Sequence, residues 1–303
     1  MIKINVSFCF DKNLWKQAVV TITSLLQTAN KSCCYNIYAV ISKDISEDIK
    51  KIISDIVFKN NSDSTIKFLT AKALNKTIDH SPGYYFRLQL PKLAKNIDKI
   101  IYCDIDTLFL NNLVTLWNFD MKDNIICGIK DGLNLKRPWK RYQMKTDKKF
   151  IIKKGCYVNS GVLLLNLKSM RRENMYEKFM SLIGEKIWQK DQDILNYVCF
   201  PKIGYLPLKY NFTPRATRKY NRMVKQKLIS ANDIKDAKQN PIIYHFINYN
   251  PWDRLSTNSW MWWRVAAKTP FYNDLKRLYL SKHKILGWLD FILIERKFNK
   301  IRV

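Results

Sequence analysis

Residues 100–106 read Ile-Ile-Tyr-Cys-Asp-Ile-Asp, an apolar run that stops on two carboxylates spaced two residues apart. A run of this kind fits a strand buried on both faces, as in a sheet covered by helices. Alternate side chains of an extended chain share a direction, so Asp104 and Asp106 are expected to face one cleft at the strand's carboxyl end, where open α/β sheets place their sites. Two like charges held that close repel unless a cation joins them. A divalent metal that grips a phosphorylated substrate is the expectation. Asp-x-Asp also occurs in turns and solvated loop ends, so the rest of the chain must carry the reading.

Strand and helix patterns alternate. Ile4, Val6, Phe8 and Phe10 mark a first strand, residues 36–42 a second and 100–103 a third, with further strands at 125–129 and 158–165. Helical spacing falls between them, at 15–28, 46–57 and 84–93. This order predicts an α/β fold with a mostly parallel central sheet. No repeat or long Gly/Pro linker divides the first 250 residues. After Pro251-Trp252 the composition turns to Trp, Tyr and Lys/Arg, which predicts a catalytic domain over 1–255 and a basic, aromatic, helical region over 256–303.

A chain of 303 residues with 47% apolar content can bury a large core, which excludes wholesale disorder. Its net charge of +28, from 53 Lys and Arg against 25 Asp and Glu, implies an anionic partner: nucleic acid, a phosphorylated glycan or an acidic membrane surface. Basic residues concentrate at 136–154, 209–227 and 264–302. In the last cluster Phe271, Tyr272, Leu275, Leu278, Tyr279, Trp288 and Leu289 alternate with lysines, as in helices that lie in a membrane interface. An amphipathic helix docked on its own protein has the same pattern. The seven cysteines include no Cys-x-x-Cys pair and several lie in apolar runs, which fits a reducing cytoplasm. The first ten residues alternate as a strand rather than forming a leader, and the apolar run at 285–294 is too short to span a bilayer.

Four more segments accompany the Asp-x-Asp: Tyr85-Phe86-Arg87-Leu88-Gln89-Leu90-Pro91 before it, and Tyr157-Val158-Asn159-Ser160-Gly161, Gln189-Lys190-Asp191-Gln192-Asp193 and Ile243-Tyr244-His245-Phe246 after it, the last leading to Asn250-Pro251-Trp252. In this order the set resembles the family 8 retaining glycosyltransferases of the GT-A fold, nearest to bacterial lipooligosaccharide and lipopolysaccharide galactosyl- and glucosyltransferases, over about residues 2–255. The resemblance implies a Rossmann-like nucleotide-sugar-binding fold and a UDP-hexose donor. It makes Asp104, Asp106 and His245 the metal ligands. A mixed oxygen and nitrogen set favours Mn2+ over Mg2+.

By the same resemblance Asp191 holds sugar hydroxyls, and Gln192 sits by the anomeric carbon, its amide oxygen facing an oxocarbenium-like transition state. A neutral amide is a poor nucleophile, which favours front-face displacement over a covalent intermediate. Asn159 and Asp131 correspond to sugar-binding positions, Arg87 to a donor-site arginine, and Asp11 to the acid that binds the nucleoside. Ile105, between the two aspartates, and Asn250 complete the donor-binding set. Asp193 also fits a plain helix N-terminus. His80 lies one residue out of step with a family position and stays outside the set.

Two segments depart from the family pattern. Where the family has a base-stacking tyrosine, this chain reads Asp11-Lys12-Asn13-Leu14, with Trp15 one place on. The loop after His245 lacks the family's glycine and its diphosphate-binding lysine, whose place Asn250 takes, leaving Lys209 or Arg254 as substitutes. The acceptor implied is a hydroxyl of a bacterial surface glycolipid, reached from the cytoplasmic face of the inner membrane. A protein or polysaccharide acceptor on the same fold is the alternative. A nucleic-acid-binding protein rests on the charge alone and is not expected.

Overall fold

The computed structural model describes residues 1–72, 74, 82–132, 155–184, 189–254 and 258–300. His80 and the basic cluster at 136–154 lie outside them. In chain order the elements are β1 (Ile2–Phe10), α1 (Trp15–Leu26), β2 (Cys33–Ile41), α2 (Glu47–Asn60), β3 (Thr65–Thr70), α3 (Leu90–Leu93), β4 (Lys99–Cys103), β5 (Thr107–Phe109), α4 (Val114–Trp117) and β6 (Ile126–Lys130). They continue with β7 (Val158–Asn166), α5 (Leu167–Arg172), α6 (Met175–Met180), α7 (Asp191–Cys199), β8 (Ile203–Tyr205), α8 (Thr217–Lys225), α9 (Ala231–Gln239), β9 (Ile243–His245), α10 (Ser259–Ala266) and α11 (Tyr272–Lys300).

Seven strands form one sheet in the order β3-β2-β1-β4-β7-β6-β8, and β5 pairs with β9 in a small second sheet. Only β7 runs against the others in the large sheet. This is the α/β architecture, with a mostly parallel sheet and a helical C-terminal region, that the GT-A resemblance implies. The reversal of β7 matters for the site: its amino end lies at the edge where β1, β4 and β6 end. The helical spacing at 84–93 is resolved as a 3-10 segment over Pro82–Gln89 followed by the single turn of α3. Pro91, which cannot donate a backbone N–H, sits in that short helix's first turn, where no partner is needed.

Cores on both faces of the sheet explain the unbroken apolar run in β4. Ile101 and Cys103 point into one cluster with Phe8, Phe10 and α1, while Ile100 and Tyr102 point into the other with Leu163 and Leu165. The helix α1 is buried from Gln17 to Leu26, covered by the sheet and by α10. Its polar side chains grip the loop that carries the two aspartates: Thr21 Oγ1 donates to the Ile105 carbonyl, and Phe109 N–H donates to Ser24 Oγ at 3.1 Å.

The C-terminal region packs on the same core. Trp262 and Trp263 are fully buried, and the Trp263 ring meets Tyr272, Tyr279 and Phe291 edge-on. α11 is not straight. The rings of Tyr279 and Phe291 are 5.4 Å apart, although twelve residues of straight helix would separate them by about 18 Å. Tyr279 Oη also bonds Asp290 Oδ2 at 2.8 Å, so the helical path doubles back between these residues. Gly287 permits the close approach of the two arms: a Cβ there would meet Leu280 Cδ2 at 3.2 Å and Leu280 Cα at 3.6 Å. No helix among the described residues is long and apolar enough to cross a membrane.

Candidate active site

Asp104 follows β4 directly, and its backbone N–H donates to the Gly161 carbonyl on β7 at 2.8 Å. Asp106 precedes β5, which pairs with β9 so that His245 stands opposite Thr107. The Phe246 N–H donates to the Asp106 carbonyl at 2.9 Å, locking that register. His245 Nε2 therefore lies 3.1 Å from Asp106 Oδ1 and 3.8 Å from Asp104 Oδ2. One ligand atom from each of the three residues falls within 4.8 Å of the others.

Gly161 makes this convergence possible. A Cβ at that position would stand 2.0 Å from His245 Cε1 and 2.8 Å from Asp104 Oδ2. Any side chain there would evict the imidazole, which accounts for the glycine of the Asn159-Ser160-Gly161 turn.

Arg87 links this cluster to a second one. It is buried, with Nη2 2.7 Å from Asp104 Oδ1, Nε 3.1 Å from Asp191 Oδ2, and Nη1 donating to the Ser160 carbonyl at 2.9 Å. Its guanidinium also stacks on Tyr102, 4.5 Å from the ring centre, while Tyr102 Oη donates to Asp104 Oδ1 at 2.6 Å. Asp191 and Gln192 form the first turn of α7, which Asn196 fastens to β7 by accepting from Val158 N–H at 2.7 Å and donating to the Val158 carbonyl at 2.8 Å. The Gln192 amide oxygen accepts from Ser160 N–H at 2.9 Å and from Asn159 Nδ2 at 3.1 Å. Asp131, just beyond β6, approaches Asn159 Nδ2 at 3.4 Å and pairs with Lys219 of α8 at 2.5 Å.

The chemistry of this cluster fits a cation. Three carboxylates, Asp104, Asp106 and Asp191, share the pocket with one guanidinium, and a nitrogen of His245 faces two of them. A model of the Glycosyl transferase family 8 matches residues 5–256, a span that holds every one of these residues. The chain belongs to glycosyl transferase family 8. It is a retaining, sugar-transferring enzyme, of a family that uses nucleotide-sugar donors and typically a divalent metal. A Haemophilus influenzae protein described as a glycosyltransferase is 27% identical over 91% of this chain and 86% of its own length. The lipopolysaccharide 1,2-glucosyltransferase of Escherichia coli is 26% identical over 68% of this chain and 62% of its own. Among solved structures, the galactosyltransferase LgtC in complex with donor and acceptor sugar analogues superposes with a TM-score of 0.71 at 22% identity, over 88% of this chain and 96% of that one, and shares the fold.

The ionisation of the family 8 site follows from its burial. Desolvation raises the Asp104 carboxyl despite Arg87, and Asp106 adds to the rise. Asp106 is depressed, because the pull of His245 outweighs the same burial. Burial alone would lower the His245 ring, yet Asp106 lifts it above its ordinary value. Asp191 is pushed up to about 6 by burial, with Arg87 opposing.

Sequence-selected residues beyond this core occupy the same sheet edge in part. Asp11 directly follows β1, its Oδ1 accepting from Asn13 N–H at 2.8 Å, and Ile105, between the two aspartates in sequence, is buried. Trp15 packs its ring edge-on against Phe271 at 4.7 Å. Asp193 accepts from Tyr157 Oη and from Gln189 N–H at 2.8 Å, so it fastens the start of α7. Asn250 turns to Asp253, at 3.2 Å. Of the two cations considered for the missing lysine, Lys209 is paired with Asp236 at 3.0 Å, whereas Arg254 lies by Tyr249, a ring that also carries Arg215 at 3.9 Å. Sequence reasoning did not reach Asn211, Lys219 or Arg215 as site neighbours. Asn211 carries no local signal, since its partners lie 34 and 52 residues away.

Proposed function

We propose that this family 8 enzyme transfers a hexose, galactose or glucose, from a UDP-sugar to a hydroxyl of a bacterial lipopolysaccharide or lipooligosaccharide glycan, with a divalent cation held by Asp104, Asp106 and His245. The observation that carries this reading is the convergence of those three ligand atoms beside the buried Arg87–Asp191 pair. The named activity of the E. coli relative supports the acceptor class.

In this reading, Asp104, Asp106 and His245 would hold Mn2+, which would supply Lewis-acid neutralisation of diphosphate charge. Arg87 fixes Asp104 and Asp191 at a set separation, so the donor's phosphate end and sugar end are held by one rigid unit. Asp191 accepts from sugar hydroxyls once ionised. Asn159 and Asp131 complete the sugar pocket, and Asp11 and Ile105 border the nucleoside. The Gln192 oxygen, which accepts from Ser160 N–H, Asn159 Nδ2 and, at 3.3 Å, Ser160 Oγ, has its lone pairs drawn away from nucleophilic attack. That suits electrostatic support of a front-face displacement rather than a covalent adduct.

Residues 256–303 serve in this reading as a docking region for the cytoplasmic face of the inner membrane. Trp288, Leu289, Ile292 and Leu293 are exposed in a stripe along the second arm of α11, and Arg296 and Lys297 extend it at four-residue spacing. The test is to incubate the purified protein with Mn2+ and a panel of nucleotide sugars and score donor hydrolysis. Selective hydrolysis of one UDP-hexose, abolished by a chelator, is expected. Hydrolysis indifferent to the chelator, or of a donor with another base, would overturn the reading.

A further inference from the structure

Asn211 is fully buried between the two halves of the site, and its orientation is forced by neighbours. The Gly161 backbone N–H can only donate, so the Asn159 side-chain atom that receives it at 3.0 Å is the oxygen Oδ1. The Asn211 atom 2.8 Å from that oxygen must then be the nitrogen. Its other end, the oxygen, faces His245 Nδ1 at 2.8 Å, and an amide oxygen only accepts. Hydrogen is thereby placed on Nδ1. Nε2 is left as the nitrogen aimed at Asp104 and Asp106.

We propose that Asn211 is a positioning residue: it sets the His245 tautomer and ring orientation so that Nε2 presents a lone pair to the cation, and is itself oriented by Asn159 of the sugar pocket. The inference rests on reading Asp104, Asp106 and His245 as a cation site. A histidine ligand generally needs such a partner on its second nitrogen, because a neutral ring free to exchange tautomers spends part of its population with hydrogen on the ligating atom. Asn211 supplies this from a 3-10 turn over Leu208–Asn211, whose own backbone is tied to the strand carrying His245: Ile242 N–H donates to the Lys209 carbonyl at 2.9 Å, and His245 N–H to the Phe212 carbonyl at 3.0 Å. The turn and the ligand strand therefore keep a fixed separation.

The chain has only three histidines, which makes the imidazole nitrogens individually assignable by long-range 1H–15N spectroscopy. In the metal-free wild-type protein, at a pH where the ring is neutral, His245 is expected to carry hydrogen on Nδ1. Asn211→Leu should lose that preference, and its affinity for Mn2+ alone, read from the free-ion EPR signal, should fall roughly 10–100-fold. Asn211→Asp has nearly the same shape and keeps an acceptor opposite Nδ1, although its second oxygen loses the bond to Asn159 Oδ1, so it should retain the wild-type tautomer and bind Mn2+ more tightly than Asn211→Leu. This second variant keeps the test decisive if the leucine is not tolerated in the core. A leucine variant with unchanged tautomer and unchanged Mn2+ affinity, or an aspartate variant that loses the Nδ1 hydrogen, overturns the assignment. A wild-type protein that binds no Mn2+ would instead remove the cation reading beneath it.

Discussion

At the sheet edge, charged groups are buried and paired; on the C-terminal helices, a cluster of aromatic rings is buried and basic side chains face water. Arg87 and Asp191 are hidden in the first region, whereas Arg264, Lys268, Arg277 and Lys282 are exposed in the second. The contrast separates two uses of burial. Burying ions costs solvation free energy that their mutual attraction only partly returns, so a cluster such as Asp104–Arg87–Asp191 adds little to the stability of the fold. Burying Trp262, Trp263, Tyr279 and Phe291 stabilises the fold directly and asks nothing of chemistry.

The sharpest break between the regions is Asp106→Asn. Turnover is expected to fall at least about 10³-fold with loss of Mn2+ binding, while thermal unfolding shifts by no more than about 1 kcal/mol, since relief of repulsion with Asp104 offsets the lost His245 pair. Phe291→Ala should do the reverse, costing about 3–5 kcal/mol in denaturant unfolding while the folded fraction keeps its Mn2+ affinity.

Acid titration probes the sheet edge alone. In the proposed mechanism Asp191 meets the sugar hydroxyls as a carboxylate, and its carboxyl is raised to about 6. Turnover should therefore be full above that value and fall up to roughly tenfold for each unit below it. A profile flat down to pH 5 would remove Asp191 from the reacting set.

Smaller effects separate the two faces of α11. Gly287→Ala should destabilise by about 1–3 kcal/mol through crowding of the arm against Leu280. Replacing the exposed Trp288 and Leu289 with serine should leave stability unchanged, yet weaken sedimentation with anionic lipid vesicles roughly tenfold. Equal vesicle binding by that variant would dissociate the exposed stripe from any membrane role.

Much of the fold was legible because its strands carry a strong local signal. The alternation of Ile4, Val6, Phe8 and Phe10 and the unbroken run of β4 each reflect what the side chains meet across the sheet. The short strands β5, β8 and β9 were not legible: three residues are too few for a period, and their pairing depends on chain distant in sequence. Likewise the 3-10 path at Pro82–Gln89 has helical spacing, but its hydrogen-bond pattern is decided by packing against β1, β2 and α7. The double-back in α11 is hidden in the sequence, because an apolar pattern fitting one long helix also fits two arms that share a glycine.

The sequence by itself determined which chemistry this chain carries: carboxylates at the end of a buried strand, a histidine before an aromatic loop, and an Asp-Gln pair, in the order family 8 uses. Only the tertiary structure decided how those groups face one another. Strand β7 had to run against its neighbours to bring Asn159 and Gly161 to the edge where Asp104 stands, and Asn211 had to fold under His245 to turn its second nitrogen outward. The physical reason is that composition fixes the acid–base character of each group, while orientation comes from hydrogen bonds between residues that only the closed fold brings within 3 Å.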